Sequence, residues 1–314
     1  MRPRPLVLDC DTGTDDAIAI MLAALHPALD LRGVSAVWGN LDVGHTADNS
    51  LRVLDHVGRS DVPVLRGAAG PLAEAPDAAA HRRHLPPALP LPPSRRSVGE
   101  QPAVEWLVET LRAATEPVTL VTTGPLTNVA LLVAADPRLV EAVDEVVLMG
   151  GGHAVGNVTP SADRNVWCDA RAAHAVLTAG FRRLVMVTLD ATYQATLDLD
   201  RCAELRGLGT PAATAAATFV EERIAQYAGA GGVPPSAAPV HDPLTVAYLL
   251  DPGVVGLRPS HVAVETSGVL TYGRTVIDVH GVTGLPANAH VALTADADRY
   301  FAVLRSTLGS TGVG

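Results

Sequence analysis

Over about 250 residues, short apolar runs alternate with segments whose apolar residues recur at helical spacing. Short apolar runs are typical of buried strands, and the intervening periodicity indicates amphipathic helices. Such alternation predicts an α/β fold with a mostly parallel, doubly wound (Rossmann-like) sheet. The predicted strands are 6–8, 31–38, 62–65, 118–122, 145–149 and 184–189.

The last part of the chain has a different pattern. Residues 261–266 and 274–280 are predicted to pair as a small antiparallel C-terminal appendage, before a strand at 290–294 and a helix at 297–308. No linker divides the chain, so we expect one domain over residues 1–314. Within it, residues 68–100 are rich in proline and alanine and are predicted to form a long loop or lid.

Four carboxylates lie within eight residues, directly after the first predicted strand, at Asp9, Asp11, Asp15 and Asp16. Asp9 and Asp11 share one face of a strand, and the other two fall in the first turn of the next helix, where the dipole favours anions. The dipole cannot neutralise four acids, so either some are protonated or a hard cation lies among them. Oxygen ligands select Ca²⁺ or Mg²⁺ over Zn²⁺. The simpler alternative is that these acids only cap the helix, but capping alone would require fewer than four acids.

Composition argues against several classes of function. A net charge of −10 disfavours nucleic acid and anionic membranes as partners. No apolar run reaches the roughly 18 residues of a membrane span, and we expect no signal peptide. The three scattered cysteines, Cys10, Cys168 and Cys202, favour neither a disulfide framework nor a cysteine metal site, so we expect a cytoplasmic protein.

Polar residues follow the ends of several predicted strands. Asp11 follows the first strand, Asn40 the second and Thr123 a middle strand, and Met149 ends the next. In open α/β sheets, ligands bind beyond the carboxyl ends of the strands. The sequence therefore predicts one active site at this edge of the sheet.

These residues resemble the inosine–uridine-preferring nucleoside hydrolase family. The resemblance begins at residues 9–16, with Thr12 where proline is usual, and extends over nearly the whole chain. It implies hydrolysis of the N-glycosidic bond of ribonucleosides, one tightly bound Ca²⁺, and a homodimer or homotetramer. The other matching segments are 38–40, 122–128, 147–152, 156–157, 165 and 241–243.

The resemblance also implies a role for each matching residue. Asp11 would be the general base that deprotonates a Ca²⁺-bound water, and His241 would assist departure of the base. Asp9 would not bind the metal itself but would help to orient the residues that do. The implied metal ligands are Asp11, Asp16, Thr123 and Asp242, and the implied substrate-binding residues are Asp15, Asn40, Met149, Asn157, Asp163, Asn165 and Asp242.

Two departures from the family pattern leave other functions open. The segment from His81 to His84 lacks the family's His-Gly-x-x-Gly pattern, and Asp163-Arg164 replaces an acid–aromatic pair. One alternative is a catalytically silent relative that binds a nucleoside, and another is a relative that acts on a 5′-substituted nucleoside. A haloacid-dehalogenase-type phosphatase is disfavoured, because its chemistry needs a lysine and this chain contains none.

Overall fold

A computed structural model of the chain describes residues 2–76, 86–228 and 234–310. Within these ranges, nine strands form one sheet and two further strands pair as a small antiparallel sheet. The strands in chain order are β1 (Arg4–Cys10), β2 (Leu29–Ala36), β3 (Val64–Arg66), β4 (Val118–Thr122), β5 (Val143–Met149), β6 (Leu184–Val187), β7 (Thr196–Asp198), β8 (Ala237–Pro239), β9 (Val255–Val264), β10 (Thr275–Asp278) and β11 (Ala289–Ala295).

The main sheet has the strand order β10-β9-β11-β6-β5-β4-β1-β2-β3. All neighbours from β11 to β3 pair in parallel, whereas β9 and β10 extend one edge with antiparallel pairing. The small separate sheet consists of β7 and β8. The predicted fold class, a mostly parallel α/β sheet with an antiparallel C-terminal addition, is confirmed.

Local sequence signals explain where several helices begin. Asp42 accepts the backbone N–H groups of Gly44 and His45 at one helix start. Pro211 and Pro243 each occupy a first helical position, where the missing N–H is harmless. The helices are α1 (Thr14–Leu25), α2 (Val43–His56), α3 (Ala103–Ala113), α4 (Thr127–Ala135), α5 (Arg164–Cys168), α6 (Ala170–Thr178), α7 (Leu189–Thr192), α8 (Leu199–Gly207), α9 (Pro211–Tyr227), α10 (Pro243–Leu250) and α11 (Ala297–Leu308).

Strand β1 is buried on both faces. Leu6, Leu8 and Cys10 pack into a core with α1, α2, α9 and α10, whereas Val7 packs into a second core with α3, α4 and α6. Alternate side chains of a strand point to opposite faces, so the helices form one layer on each side of the sheet. Burying one such leucine stabilises the fold by about 1.5–3 kcal/mol. Cys10 is buried in the first core, as its position on the strand face opposite Asp9 and Asp11 predicts.

The strand order reverses between β1 and β4. The chain adds β2 and β3 on one side of β1, and it then adds β4 and β5 on the other. The backbone N–H of Thr123 donates to the carbonyl oxygen of Asp9 at 2.9 Å, so the ends of β1 and β4 lie side by side. Ligand sites of doubly wound sheets lie at such a switch point.

Some predicted segments differ from the structure. The polar sequence of residues 153–168 predicts a loop, but the short helix α5 forms within them. β9 begins at Val255, earlier than predicted, because its first half pairs with β11 and only its second half pairs with β10. The described parts of 68–100 contain no helix or strand, and residues 77–85, with His81 and His84, lie outside the described chain. No described helix has the length and apolar character needed to cross a bilayer.

Candidate active site

Three carboxylates converge at the switch point of the sheet. One carboxylate oxygen from each of Asp15, Asp16 and Asp242 lies within 4.8 Å of the others, and all three residues are buried. Asp15 and Asp16 occupy the first turn of α1, and Asp242 precedes α10. Asp16 is fixed by the Thr123 hydroxyl at 2.6 Å and by the N–H of Gly13 at 2.9 Å. The N-terminal ends of α1 and α10 therefore direct these three acids to one point.

Burial and mutual repulsion raise the pKa of two of these acids. Burial, together with the charge of Asp15, raises the pKa of Asp16 to about 6. Burial and the charges of Asp15, Asp16 and Asp11 raise the pKa of Asp242 well above its ordinary value. A hard divalent cation relieves such repulsion, and this all-oxygen donor set suits Ca²⁺ or Mg²⁺. The residues therefore fit a bound metal ion.

Asp11 lies just beyond β1, and its carboxylate is held by a hydrogen bond from the backbone of Asn40. Its Oδ2 accepts the backbone N–H of Asn40 at 2.6 Å. A Cβ atom on Gly39 would overlap this carboxylate, so the glycine is required for the close approach. Among the described residues, Asp11 is not one of the acids that converge within 4.8 Å, although its charge acts on Asp242.

Arg223 is a site residue that the sequence analysis did not single out. Its Nη1 lies 2.9 Å from Oδ1 of Asp15, and both side chains are buried. Burial raises the pKa of Asp15, but the charges of Arg223 and His241 outweigh that effect and hold it below its ordinary value. A signal was present in the sequence, because Arg223 shares the buried face of α9 with Ala216 and Phe219.

His241 is buried and contacts three side chains outside the predicted set. Its Nδ1 lies 2.7 Å from the hydroxyl of Thr192, and its Nε2 lies 3.1 Å from the hydroxyl of Tyr227. The ring of Tyr193 packs edge-on against the imidazole, with centroids 5.8 Å apart. Thr192 and Tyr227 end α7 and α9, and Tyr193 follows α7, so these contacts reach His241 from 14 and 48–49 residues away in the chain.

Another wall is built from the first residues of α5 and the segment just before it. The side-chain amide of Asn165 donates to the carbonyl oxygens of Thr123 at 2.8 Å and of Met149 at 3.1 Å. Asn157 accepts the backbone N–H of Arg164 at 2.8 Å. Asp163 caps α5 by accepting the N–H of Val166 at 3.2 Å, and burial raises its pKa.

Asp9 lies behind the acidic cluster and belongs to a buried polar network. The side-chain amide of Asn128 donates to Asp9 at 2.7 Å and to the hydroxyl of Ser35 at 3.0 Å. Burial raises the pKa of Asp9 to about 6. Asn128 also accepts the N–H of Ala68, so the network ties β1 to the loop after β3.

A cavity of about 530 Å³ opens over the cluster. Its size suits a nucleoside, and its mixed lining offers several convergent polar groups. The predicted residues that line it are Asp15, Asn40, Thr123, Met149, Asn157, Asp163, Asn165, His241 and Asp242. The lining residues outside the predicted set include Arg164, Tyr193, Arg223, Gln226 and Tyr227.

The chain is similar to known proteins over nearly its whole length. The model of the family described as inosine-uridine preferring nucleoside hydrolase matches residues 6–302. The pyrimidine-specific ribonucleoside hydrolase RihA of Shewanella sp. (strain ANA-3) is 38% identical over 314 residues, covering 97% of this chain and 96% of the relative. The pyrimidine-specific ribonucleoside hydrolase RihB of Escherichia coli (strain SE11) is 37% identical over 311 residues, covering 97% and 96%.

A solved structure agrees with these relatives. The purine-preferring ribonucleoside hydrolase from Gardnerella vaginalis superposes with a TM-score of 0.88 at 27% identity, covering 98% of this chain and 99% of that one. The fold and the site thus define an N-ribohydrolase, which hydrolyses ribonucleosides to free base and ribose. The chain belongs to the inosine-uridine preferring nucleoside hydrolase family, and the resemblance identified from the sequence is confirmed.

Proposed function

We propose that this nucleoside hydrolase uses one Ca²⁺ in the acidic cluster, Asp11 as general base, and His241 to assist the leaving base. The observation that carries the proposal is the convergence of Asp15, Asp16 and Asp242 within 4.8 Å, beside a cavity that Asp15, Asp242 and His241 line. Carboxylates and a histidine at one cavity are the groups that cleavage of an N-glycosidic bond requires. The charge that develops on the ribose requires stabilisation, and the leaving group requires a proton.

The metal ion would be held by oxygen atoms of Asp11, Asp16, Asp242 and the carbonyl of Thr123. A bound Ca²⁺ would supply Lewis acidity to the attacking water. The Thr123 carbonyl already accepts from Asn165 and keeps a second lone pair for a further contact. Asp11 would then accept the proton of the water, with its carboxylate aimed by the N–H of Asn40.

The walls of the cavity suggest one orientation of the ribose. Its 2′- and 3′-hydroxyls would lie at Asp15, Asp242 and Asn165, where acceptors and a donor converge. With the base directed to His241, the 5′ end falls at the remaining wall, which carries Asn157 and Asp163. Asn40 and Met149 would complete the sugar pocket.

His241 is prepared for proton transfer by its two neighbours. The Thr192 hydroxyl also lies 3.3 Å from the carbonyl oxygen of Leu189, so it donates to that carbonyl and accepts the Nδ1–H of His241. When His241 is charged, its Nε2–H would pass a proton to the departing base through the hydroxyl of Tyr227.

We infer that pyrimidine ribonucleosides are the preferred substrates. Two relatives at 37–38% identity carry the name pyrimidine-specific, whereas the purine-preferring structure is only 27% identical. Incubation with uridine, cytidine, inosine and adenosine, followed by assay of free ribose, tests this inference. We expect the two pyrimidine nucleosides to be cleaved with the higher kcat/KM, and faster cleavage of inosine would contradict it.

The working form is proposed to be a homodimer or homotetramer in the cytoplasm. Val269 and Leu270 are 92% and 86% exposed in the turn before edge strand β10, and Val282 is 86% exposed just after it. A second copy of the chain would cover this apolar surface. Light scattering on the purified protein tests the proposal, and a monomer at micromolar concentration would contradict it.

A further inference from the structure

Arg223 is a basic side chain in ion-pair contact with Asp15 of the acidic cluster. Its Nη1 lies 2.9 Å from Oδ1 of Asp15, and the two side chains are only 8% and 9% exposed. A buried arginine–carboxylate pair resists separation, because removing one partner leaves the other as an uncompensated buried charge. Asp15 is therefore held firmly by Arg223.

Arg223 is itself anchored on two sides. Its Nε donates at 3.0 Å to the carbonyl oxygen of Pro239, the last residue of β8. Its guanidinium carbon also lies 5.7 Å from the centroid of the Tyr227 ring, one turn along α9. A guanidinium held at three points has a fixed orientation, so the carboxylate of Asp15 is fixed with it.

The three convergent acids are therefore not equivalent. The charge of Asp15 is compensated by Arg223, whereas the side-chain hydrogen bonds of Asp16 within the described chain come from neutral donors, the Thr123 hydroxyl and the Gly13 N–H. A divalent cation gains most from carboxylates whose charge is not already compensated. Asp16 meets that condition better than Asp15 does. Asp242 does so too, because Arg223 contacts Asp15, whereas the repulsion of Asp242 by Asp15, Asp16 and Asp11 exceeds the attraction of Arg223.

We infer that Arg223 is a positioning residue, which commits Asp15 to the ribose hydroxyls and leaves Asp16 and Asp242 to hold the cation. The inference rests on the proposed function, because it requires a ribose at Asp15. Arg223 acts through Asp15 and does not itself contact the atoms of the glycosidic bond. Its loss should thus affect sugar binding more than cation binding.

Arg223→Met tests the inference, since methionine removes the charge and retains an unbranched side chain. Calorimetric titration of the metal-stripped variant with Ca²⁺ should give binding at least as tight as in the unaltered protein, because a nearby positive charge is gone. The KM for uridine should rise about 10- to 100-fold, the size expected when a hydrogen bond to a charged group is lost. Arg223→Lys should recover part of that loss.

A second substrate tests whether the Arg223→Met variant is impaired in its contact with the sugar or with the leaving group. p-Nitrophenyl riboside shares the ribose with uridine, but its leaving group needs no proton. Because Arg223 acts on the ribose, Arg223→Met should reduce kcat/KM by the same factor on both substrates. A loss on uridine that is at least tenfold larger would assign Arg223 to the leaving group and overturn the inference.

Arg201→Met is the matched control, because Arg201 pairs with Asp298 and stacks over Phe301 away from the cavity. It should change neither Ca²⁺ binding nor KM. Weaker Ca²⁺ binding or an unchanged KM in Arg223→Met would overturn the inference, and Arg223→Gln carries the same test if the methionine variant does not fold. If the unaltered enzyme releases no ribose, the proposed function itself is wrong.

Discussion

The hydroxyl of Thr123 donates to Oδ1 of Asp16 at 2.6 Å, between residues 107 positions apart in the chain. This hydrogen bond joins the end of β4 to the first turn of α1, across the switch point of the sheet. The backbone of Thr123 also donates to the carbonyl of Asp9 and accepts from Asn165. Thr123 thus links three parts of the site, and the sheet fixes its position.

Thr123→Val removes that hydroxyl at nearly constant shape. Asp16 then loses a hydrogen bond that favours its charged form, so we expect Ca²⁺ affinity to fall about 10- to 100-fold, as measured by calorimetry. Thr119→Val in β4, the strand that leads to Thr123, is a matched control, because its buried hydroxyl has no hydrogen-bond partner among the described residues. Equal affinity in the Thr123 and Thr119 variants would contradict the role of Thr123.

Asp11→Ala tests the general base. Without a carboxylate to accept the proton of the attacking water, kcat for uridine should fall by about 10²–10⁴-fold. The variant should fold, because the strand before Asp11 is held by apolar packing of Leu6 and Leu8. Circular dichroism checks the fold and steady-state kinetics check the rate. A kcat near that of the unaltered enzyme would show that Asp11 is not the base.

His241→Ala separates leaving-group chemistry from sugar binding. A lost proton donor should reduce kcat for uridine by about 10²–10⁴-fold, and should affect p-nitrophenyl riboside far less. Tyr227→Phe removes the hydroxyl 3.1 Å from Nε2 and should give the same pattern in weaker form. Equal losses on both substrates would instead assign His241 to the ribose or to folding.

Local periodicity predicts much of the fold. The helix predicted at 297–308 coincides with α11, whose start is capped by Asp296. Apolar runs likewise locate the parallel strands, because strands buried on both faces are continuously apolar. The five-residue helix α5 was missed, since so short a segment contains no complete apolar period and depends on the cap at Asp163.

The acidic half of the site was more predictable than the rest. Asp15 and Asp16 fall beside the end of β1 through local structure alone, and the family resemblance supplied Asp242. The partners of His241 come from α7 and α9, and a single sequence does not encode such long-range contacts in any local pattern. Arg223 is the exception, because an arginine on an apolar helical face already indicates a buried charge with a partner.

Asp163 should make stability depend on pH. Burial raises its pKa above the ordinary 3.8, although backbone N–H groups of Gly151 and Val166 lower it. The folded protein thus holds this proton more tightly than the unfolded chain, so the stabilisation is complete below about pH 4 and is lost as the pH rises through the raised pKa.

Asp163→Asn removes this titration and keeps an acceptor for the N–H of Val166. The free energy of unfolding of the variant, relative to the unaltered protein, should therefore increase between about pH 4 and about pH 7. Urea unfolding at the two pH values measures the difference. A difference that stays constant or decreases with pH would contradict the assignment.

Release of ribose with and without the metal ion tests the central claim most directly. The purified protein is assayed for free ribose and free base from uridine, first with Ca²⁺, then after exhaustive chelation, and again after Ca²⁺ is restored. We predict equal amounts of ribose and base, loss of activity on chelation, and recovery with about one Ca²⁺ per chain. Full activity in protein shown by metal analysis to contain no divalent ion would contradict the account.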